Sequence, residues 1–275
     1  MKVKIYGCRS SIPLSNNPAS KYGGNTSCIT LKTRGQTIIL DAGSGISQMD
    51  RLTKIFADKE SRFDILISHL HLDTIIGLTV FGNDRMSYQD NFMKIYTINR
   101  DSRPLKKQIF GLFAPPYWTV SMEDELVNAE CIEIEEEVPF RLDYFTITPF
   151  IAAHPDKTTS FHITDGNITV LYLLDSETST LSDKGWGLLV KHCKNADLVI
   201  FGATYPNMLH SEKKHKKHPT IEDGFKLAKD SGCKKMMFTH FDAKYSDQEL
   251  ETFEVCATAQ GDKFFFARDN MELSL

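Results

Sequence analysis

Two histidines and an aspartate stand at alternate positions in one short stretch of the chain, at His69, His71 and Asp73. They follow an apolar run over residues 65–67, which predicts the end of a buried strand. Alternate side chains of an extended segment point the same way, so the three polar groups would share one side and the two leucines between them would face the core. Imidazole nitrogens and a carboxylate oxygen are typical ligands of first-row metal ions. The stretch therefore predicts a metal centre, with incidental histidines at a strand end as the alternative.

Single polar residues also close other apolar runs, at His154, Asp175 and His240. Taken one at a time, such residues are more commonly loop, turn or structural hydrogen-bonding groups. Together with the first stretch, the histidines and the two carboxylates suit a pair of divalent cations bridged by one carboxylate. A centre of this kind supports metal-assisted hydrolysis through an activated water. Asp41 closes a further strand before a glycine-rich turn, and a local cap explains it equally well.

Hydrophobic patterning supplies the elements that must position these groups. Apolar and alternating runs predict strands over residues 2–7, 25–33, 37–40, 65–68, 94–98, 130–134, 144–150, 161–164, 167–174, 197–201, 235–239 and 263–267. Helical patterns and capping signals predict helices over residues 46–58, 74–81, 103–113, 183–192, 220–231 and 246–257. No repeat or linker divides the chain, so we expect one α/β (α+β) domain over residues 1–275, with two sheets packed face to face and helices outside.

Composition narrows the class of protein. The chain has 275 residues, 41% of them hydrophobic and 25% charged, as in a soluble globular protein with a full core. The net charge of -4 gives no general basic surface, so no strong nucleic-acid signal is present. Six scattered cysteines without a C-x-x-C pair, and no apolar stretch of membrane-spanning length, predict a cytoplasmic protein without a membrane partner.

Several short segments together resemble the metallo-β-lactamase superfamily, in particular its phosphodiesterase and ribonuclease Z-like branch. The most specific is His69-x-His71-x-Asp73. The others are residues 22–28 (YGGNTSC), 40–43 (LDAG), 154–155 (HP), 174–177 (LDSE), 218–220 (HPT) and 239–242 (THFD). The resemblance covers nearly the whole chain and implies a four-layer αββα sandwich, with metal ions at one edge of the two sheets.

The resemblance also implies roles for the candidate residues. The first ion would be held by His69, His71 and His154, and the second by Asp73 and His240, with Asp175 bridging the two. Asp41 would orient a ligand imidazole. Asp73 and His218 would be the catalytic residues, with His218 near the substrate phosphate, where it stabilises charge or protonates the leaving group. Zinc is the expected metal, with manganese or iron as alternatives and one or two ions bound.

Two positions depart from the family pattern. The motif H-x-H-x-D-H ends here in Thr74, whose hydroxyl is a poor replacement for imidazole, so the second ion should bind more weakly. The branch often has His-Asp-Ala-x-Tyr where this chain reads residues 201–205 (FGATY), so Gly202 stands in place of a carboxylate. Three hypotheses stay open: a phosphodiesterase acting on an anionic phosphodiester or cyclic nucleotide, a noncatalytic binding or regulatory protein, and a hydrolase of another ester, amide or thioester.

A basic run, Lys213–Lys217, precedes His218. It is either a solvated loop or a segment that draws a small anionic substrate, such as a nucleotide, by electrostatic steering. Members of the superfamily often pair, so a homodimer is an open alternative, although no residue in the sequence indicates one.

Overall fold

The computed structural model of the chain describes residues 1–15, 20–49, 61–81, 91–99, 101–126, 128–151, 158–176, 178, 181–205 and 219–275. Three features predicted from the sequence lie outside these residues. They are the expected metal ligand His154, the expected catalytic residue His218 and the basic run over 213–217.

The described residues form sixteen strands and six α-helices, with runs of consecutive strands over residues 2–40 and 129–173. The strands are β1 (Lys2–Gly7), β2 (Arg9–Ser10), β3 (Cys28–Thr33), β4 (Gln36–Leu40), β5 (Ser61–Leu66), β6 (Asn91–Thr97), β7 (Ala129–Glu133), β8 (Phe140–Leu142), β9 (Phe145–Ile151), β10 (Thr159–Thr164), β11 (Thr169–Leu173), β12 (Leu198–Gly202), β13 (Met236–Thr239), β14 (Phe241–Asp242), β15 (Phe264–Phe266) and β16 (Glu272–Ser274). The helices are α1 (Leu72–Ile75), α2 (Leu105–Phe110), α3 (Met122–Glu125), α4 (Asp183–Cys193), α5 (Ile221–Ser231) and α6 (Asp247–Thr258). Two 3₁₀ helices span Ser44–Gln48 and Ile76–Phe81.

Two sheets, each with seven strands among the described residues, form the centre of the fold. The first has the order β16-β1-β3-β4-β5-β6-β7, and the second has the order β15-β13-β12-β11-β10-β9-β8. Alternate residues of β4 point to opposite faces of the first sheet. Ile38 and Leu40 belong to the apolar cluster between the two sheets, and Ile39 belongs to the cluster that packs under the helices of the first half. This arrangement confirms the predicted αββα sandwich.

The strand directions bring the polar strand ends to one edge of the sandwich. Strands β4 and β5 are parallel, as are β11, β12 and β13, so their carboxyl ends lie together within each sheet. The two sheets are tied at this edge by two hydrogen bonds. Thr159 N donates to Ser68 O at 2.7 Å, and the Tyr172 hydroxyl donates to Asp41 Oδ2 at 2.7 Å. The site therefore forms where both sheets end.

The predicted helix over residues 46–58 is wrong at its start. The chain forms the 3₁₀ helix Ser44–Gln48, and Met49 is extended. The physical reason is the close packing of this turn on β1: a Cβ on Gly45 would lie 2.5 Å from Tyr6 O. The Ser44 amide also donates to Thr26 Oγ1 at 2.8 Å instead of entering a regular helix. Residues 50–58 lie outside the described part of the chain.

The helix predicted over 74–81 begins earlier and changes type. It starts at Leu72, and from Ile76 onward it is a 3₁₀ helix. Gly77 explains the change, because its amide donates to Ala42 O at 2.8 Å and not to its own helix. A Cβ on Gly77 would lie 2.1 Å from Gly43 O, so the close approach requires glycine.

Local capping signals were more informative for the last two long helices. The Thr220 and Ser246 side chains each accept a hydrogen bond from the backbone three residues on, at Asp223 and Glu249, and both capping boxes are complete. Helix α5 ends at Gly232 in the left-handed conformation, as predicted. Among the helices of the described residues, none has the length and apolar character needed to cross a membrane.

Candidate functional site

Two groups of potential metal ligands meet at this sheet edge. His69, His71 and Asp73 form one group, and His69, Asp175 and His240 form the other, with the ligand atoms of each group within 4.8 Å of one another. The groups share His69. They border a cavity of about 370 Å³ lined by Ser10, Ser11, His71, Leu72, Asp73, Asp175, Thr204, Tyr205 and His240. Four of the six predicted ligands therefore line one cavity, and a fifth, His69, is grouped with them. The sixth, His154, is outside the described residues.

The alternation argument for the first group is wrong, although its three residues do come together. The predicted strand over 65–68 ends at Leu66, so His69 and His71 lie in a loop and Asp73 lies in the first turn of α1. Leu72 is 46% exposed and does not face the core. The loop and the helical turn, not an extended strand, bring the ligand atoms together.

Thr74 has a structural role in this loop. Its buried hydroxyl bonds to the carbonyl oxygens of His69 and His71, at 2.6 and 2.9 Å. The hydroxyl is therefore turned toward the backbone that carries two ligands and is not itself in either ligand group. This position agrees with the expectation that threonine does not replace the histidine of the family motif.

The side chain of His69 is held through its Nδ1 atom. The Ser68 hydroxyl donates to Asp41 Oδ2 at 2.7 Å, so it accepts a hydrogen bond from His69 Nδ1, 2.9 Å away. This assigns the proton to Nδ1 and leaves the lone pair on Nε2. Among the described residues His69 Nε2 is buried and has no hydrogen-bond partner. A bound metal ion would satisfy it.

Among the described residues, Asp41 is linked to His69 through Ser68 and not by a direct hydrogen bond to an imidazole. Its carboxylate accepts hydrogen bonds from the Ser68 amide at 2.7 Å, the Ser68 hydroxyl and the Tyr172 hydroxyl. Burial raises the pKa of Asp41 to about 7, although these hydrogen bonds oppose the shift. The predicted orienting role of Asp41 stays a prediction, and the structure gives it a definite route through the intervening serine.

Asp175 lies between the two buried histidines. Its Oδ2 atom is 3.5 Å from His69 Nε2 and 3.4 Å from His240 Nε2, and its Oδ1 atom accepts a hydrogen bond from Thr204 Oγ1 at 3.0 Å. Asp175 is 4% exposed and follows the end of β11. The carboxylate thus lies between two imidazole nitrogens, and the bridging role that the resemblance implies for Asp175 stays a prediction.

Asp73 is oriented by backbone. Its Oδ2 atom accepts a hydrogen bond from the Ser11 amide at 2.7 Å and lies 3.7 Å from His240 Nε2. Ser11 has a φ of 68°, a conformation that is uncommon for serine, so the loop after β2 is bent to bring this amide to the carboxylate. The carboxylate thus has a fixed orientation at the cavity wall.

The two buried histidines have opposite electrostatic surroundings. Burial lowers the pKa of His69 to about 4, and the neighbouring imidazoles add to the effect. Burial also disfavours a charge on His240, but Asp175 and then Asp73 outweigh it and raise the pKa of His240 to about 9. Without metal at neutral pH, His69 is neutral and His240 carries a proton between the two carboxylates.

This difference predicts that zinc affinity rises with pH. Folding raises the pKa of His240 from 6.5 to about 9, so the metal-free protein holds a proton that must leave when Nε2 binds the ion. We expect the apparent affinity to increase by about tenfold per pH unit from 6.5 toward 9. Competition titration with a chromophoric chelator at several pH values measures it, and His240→Asn should flatten the slope. An affinity that is constant over this range in the unsubstituted protein would contradict the assignment.

The residues present are suited to a divalent metal. Imidazole nitrogens and carboxylate oxygens are the donors that zinc, manganese and iron accept. His69 Nε2 lies buried beside the Asp175 carboxylate with no hydrogen-bond partner in the described part of the chain, and a metal ion at this position would supply one.

Four hydroxyl residues at the site were missed by the sequence analysis. Ser68 and Thr204 bond to His69 and Asp175, Ser11 supplies the amide for Asp73, and Ser27 contacts His240. Two of them had a usable signal. Ser68 directly precedes His69, and Ser27 lies inside the YGGNTSC segment.

Comparisons with known proteins agree with the geometry. Residues 36–241 match the profile of the beta-lactamase superfamily domain. The chain is 24% identical to the probable metallo-hydrolase YhfI of Bacillus subtilis (strain 168) over 247 residues, covering 87% of this chain and 86% of that protein. It is 23% identical to a ribonuclease Z of Azobacteroides pseudotrichonymphae over 268 residues, covering 90% of each.

Solved structures show the same fold. The crystal structure of B. subtilis YhfI superposes with a TM-score of 0.71 at 18% identity, covering 99% of both chains. A diphosphatase of the PhnP family superposes with a TM-score of 0.68 at 16% identity, covering 99% of this chain and 97% of the other.

Proposed function

Since this chain belongs to the metallo-β-lactamase superfamily, we propose that it is a metal-dependent hydrolase that cleaves an anionic phosphodiester. The observation that carries the proposal is His69 Nε2, which is buried where two groups of candidate ligands meet and has no hydrogen-bond partner among the residues that the structure describes. Two similar proteins, a ribonuclease and a diphosphatase, have names that describe cleavage of bonds to phosphorus, which supports this class of substrate. A cyclic nucleotide is the narrower candidate.

The chain's own side chains would hold the metal. His69, His71, Asp73, Asp175 and His240 are the described ligands, and His154 is the sixth that we propose. When bound, a divalent cation polarises the phosphoryl group and makes a nucleophilic water available near neutral pH. Zinc fits this mixture of nitrogen and oxygen donors, and manganese or iron are the alternatives.

The remaining steps fall to the protein. Asp73 borders the cavity with its carboxylate fixed by the Ser11 amide, so it is placed to take the proton of the attacking water. We assign protonation of the leaving group to His218, with the basic run over 213–217 drawing the anion toward the cavity by steering. Leu72 and Tyr205 provide an apolar part of the wall against which a non-phosphate part of the substrate can pack.

The experiment is hydrolysis of bis(p-nitrophenyl) phosphate by protein stripped with a chelator and reloaded with zinc or manganese. We expect hydrolysis that depends on the added metal. Asp73→Asn keeps an oxygen for the Ser11 amide but removes both the base and a charged metal ligand, so the rate should fall by about 100-fold or more. Metal-loaded protein that is no faster than Asp73→Asn would overturn the proposal.

A noncatalytic metal-binding protein is the second candidate. The observation that favours it is the departure at Thr74, whose hydroxyl is bonded to two carbonyl oxygens, together with Gly202, which offers no side chain beside Asp175. This candidate predicts stoichiometric zinc binding without turnover, so metal analysis of the same samples separates the two.

A further inference from the structure

The YGGNTSC segment, Tyr22–Cys28, contains no metal ligand, yet it is firmly anchored beside the site. Asp269 Oδ2 accepts hydrogen bonds from the backbone amides of Gly24 and Asn25, both at 3.1 Å, and from the Asn25 side chain at 2.9 Å. Gly23 has a φ of 85°, and a Cβ there would lie 2.1 Å from Asp269 Cγ. Only glycine allows this close packing, so the first half of the segment is fixed against the turn after β15.

The second half is fixed by a reciprocal pair of hydrogen bonds. The Thr26 amide donates to Ser44 Oγ at 2.9 Å, and the Ser44 amide donates to Thr26 Oγ1 at 2.8 Å. Cys28 then opens strand β3. Ser27 is therefore held on both sides, and its side chain has little freedom of position.

Ser27 directs its hydroxyl at a histidine far away in sequence. Ser27 Oγ is 2.7 Å from His240 Nδ1, and both residues are only 1% exposed. The hydroxyl donates to the Arg9 carbonyl at 3.4 Å, so it accepts the hydrogen from Nδ1. This leaves His240 Nε2 facing the carboxylates of Asp175 and Asp73, at 3.4 and 3.7 Å.

We propose that Ser27 is a positioning residue for His240, fixing the imidazole so that Nε2 binds the metal ion. The inference rests on the metal centre of the proposed function. Hydrogen bonds to the second nitrogen of a ligand histidine fix its orientation and strengthen the ligand. The YGGNTSC segment thereby gains a role, since its anchors determine where the Ser27 hydroxyl lies.

A serine hydroxyl also accepts a hydrogen bond from Nδ1 of His69, but this serine donates its own hydrogen to a different group. Ser68 is bonded to the Asp41 carboxylate, whereas Ser27 is bonded only to a neutral carbonyl. A hydroxyl that donates to a carboxylate is the better acceptor, so His69 receives stronger support than His240. The ion held by His240 should accordingly be the more sensitive to loss of its serine.

The test uses cobalt(II) as the probe metal on the full chain, with Ser27→Ala, Ser27→Thr and Ser47→Ala compared. Ser47→Ala is the matched control, because it removes an exposed serine hydroxyl that bonds to Ser44 O, not to a histidine or to the pair of bonds that anchors Ser27. We expect Ser27→Ala to weaken cobalt binding by about 10- to 100-fold and to alter the visible absorption bands, and Ser27→Thr to bind nearly as the unsubstituted protein does. Equal affinities in Ser27→Ala and Ser47→Ala would overturn the inference.

A metal-free readout separates this inference from the proposed function. In the apoprotein, ¹⁵N-edited NMR should show a slowly exchanging proton on His240 Nδ1, and Ser27→Ala should lose it while Ser47→Ala retains it. Normal metal binding with no hydrolysis would contradict only the proposed activity. An Nδ1 proton that is unchanged in Ser27→Ala would contradict only the role of Ser27.

Discussion

Replacing Asp175 by asparagine is expected to lower zinc affinity by more than about 100-fold and to abolish metal-dependent hydrolysis, because loss of a direct ligand should exceed the 10- to 100-fold cost of changing a ligand's partner. Asp175 Oδ2 is the carboxylate oxygen placed within 3.5 Å of the Nε2 atoms of both His69 and His240. Asp175→Asn therefore removes the negative charge that lies between these two imidazoles.

The change to asparagine removes the negative charge of Asp175 but is compatible with the local backbone and hydrogen bonding. Asp175 has a φ of 44°, in the left-handed region that asparagine also tolerates. The asparagine side-chain oxygen can still accept the hydrogen bond from Thr204 Oγ1. In the metal-free protein the pKa of His240 should fall, because Asp175 is the strongest of the groups that raise it.

Asp262→Asn is a suitable control for the loss of one negative charge. Asp262 is exposed and precedes β15, whose first residue pairs with the first residue of β13, so it lies at the opposite end of the sheet from His240. Chelator competition should show its zinc affinity unchanged. Thermal melting without metal should show both variants folded. Zinc affinity in Asp175→Asn equal to that of the control would mean that Asp175 is not a ligand.

The general position of the site could be predicted from the sequence because polar residues directly follow several predicted strands. Apolar runs that stop at Asp41, Asp175 and His240 indicated polar groups at one sheet edge, and the parallel strands of the structure place them there. The caps at Thr220 and Ser246 were readable for the same reason, since both depend on hydrogen bonds within four residues of sequence.

What could not be read was the path of the backbone after the strand. The alternation at His69, His71 and Asp73 identified residues that do lie together, but it predicted an extended strand. The segment is instead a loop followed by a helical turn. Its shape depends on the Thr74 hydroxyl and on the Gly77 amide, which bonds to a distant segment. Contacts of this kind leave no periodic trace in the sequence.

The hydrogen-bond partners of the candidate ligands could not be predicted from the sequence either. Ser27 and His240 are 213 residues apart, so no local pattern could join them. Ser68 is adjacent to His69, yet its effect depends on Asp41, which reaches it from another strand. A sequence therefore identifies candidate ligands more readily than the groups that orient them, because ligand chemistry is a matter of residue type and orientation is a matter of tertiary packing.

A large effect on stability is expected at Arg9, a fully buried residue next to the site. Its guanidinium donates to Gly23 O at 2.9 Å, to Tyr245 O at 2.9 Å and to Asp247 Oδ1 at 3.2 Å. These bonds join the loop carrying Ser27 to the start of α6. The backbone of Arg9 also pairs with Phe241, the residue after His240. Through its side chain and its backbone together, Arg9 thus connects three segments that support the candidate ligands.

Arg9→Met keeps much of the apolar stem but leaves the carbonyl oxygens of Gly23 and Tyr245 without the guanidinium. We expect the free energy of unfolding to fall by about 3 kcal/mol, since removing one member of a buried ion pair typically costs 3–5 kcal/mol and Asp247 is partly exposed. Urea unfolding measures the loss. Arg103→Met is the matched control: Arg103 also pairs with an aspartate, Asp101, but its side chain is 69% exposed, so its loss should be much smaller than that of Arg9→Met. Equal losses in the two variants would show that burial does not set the contribution of Arg9. A larger loss in Arg9→Met, accompanied by weaker zinc binding, would place this arginine among the groups that hold the site together.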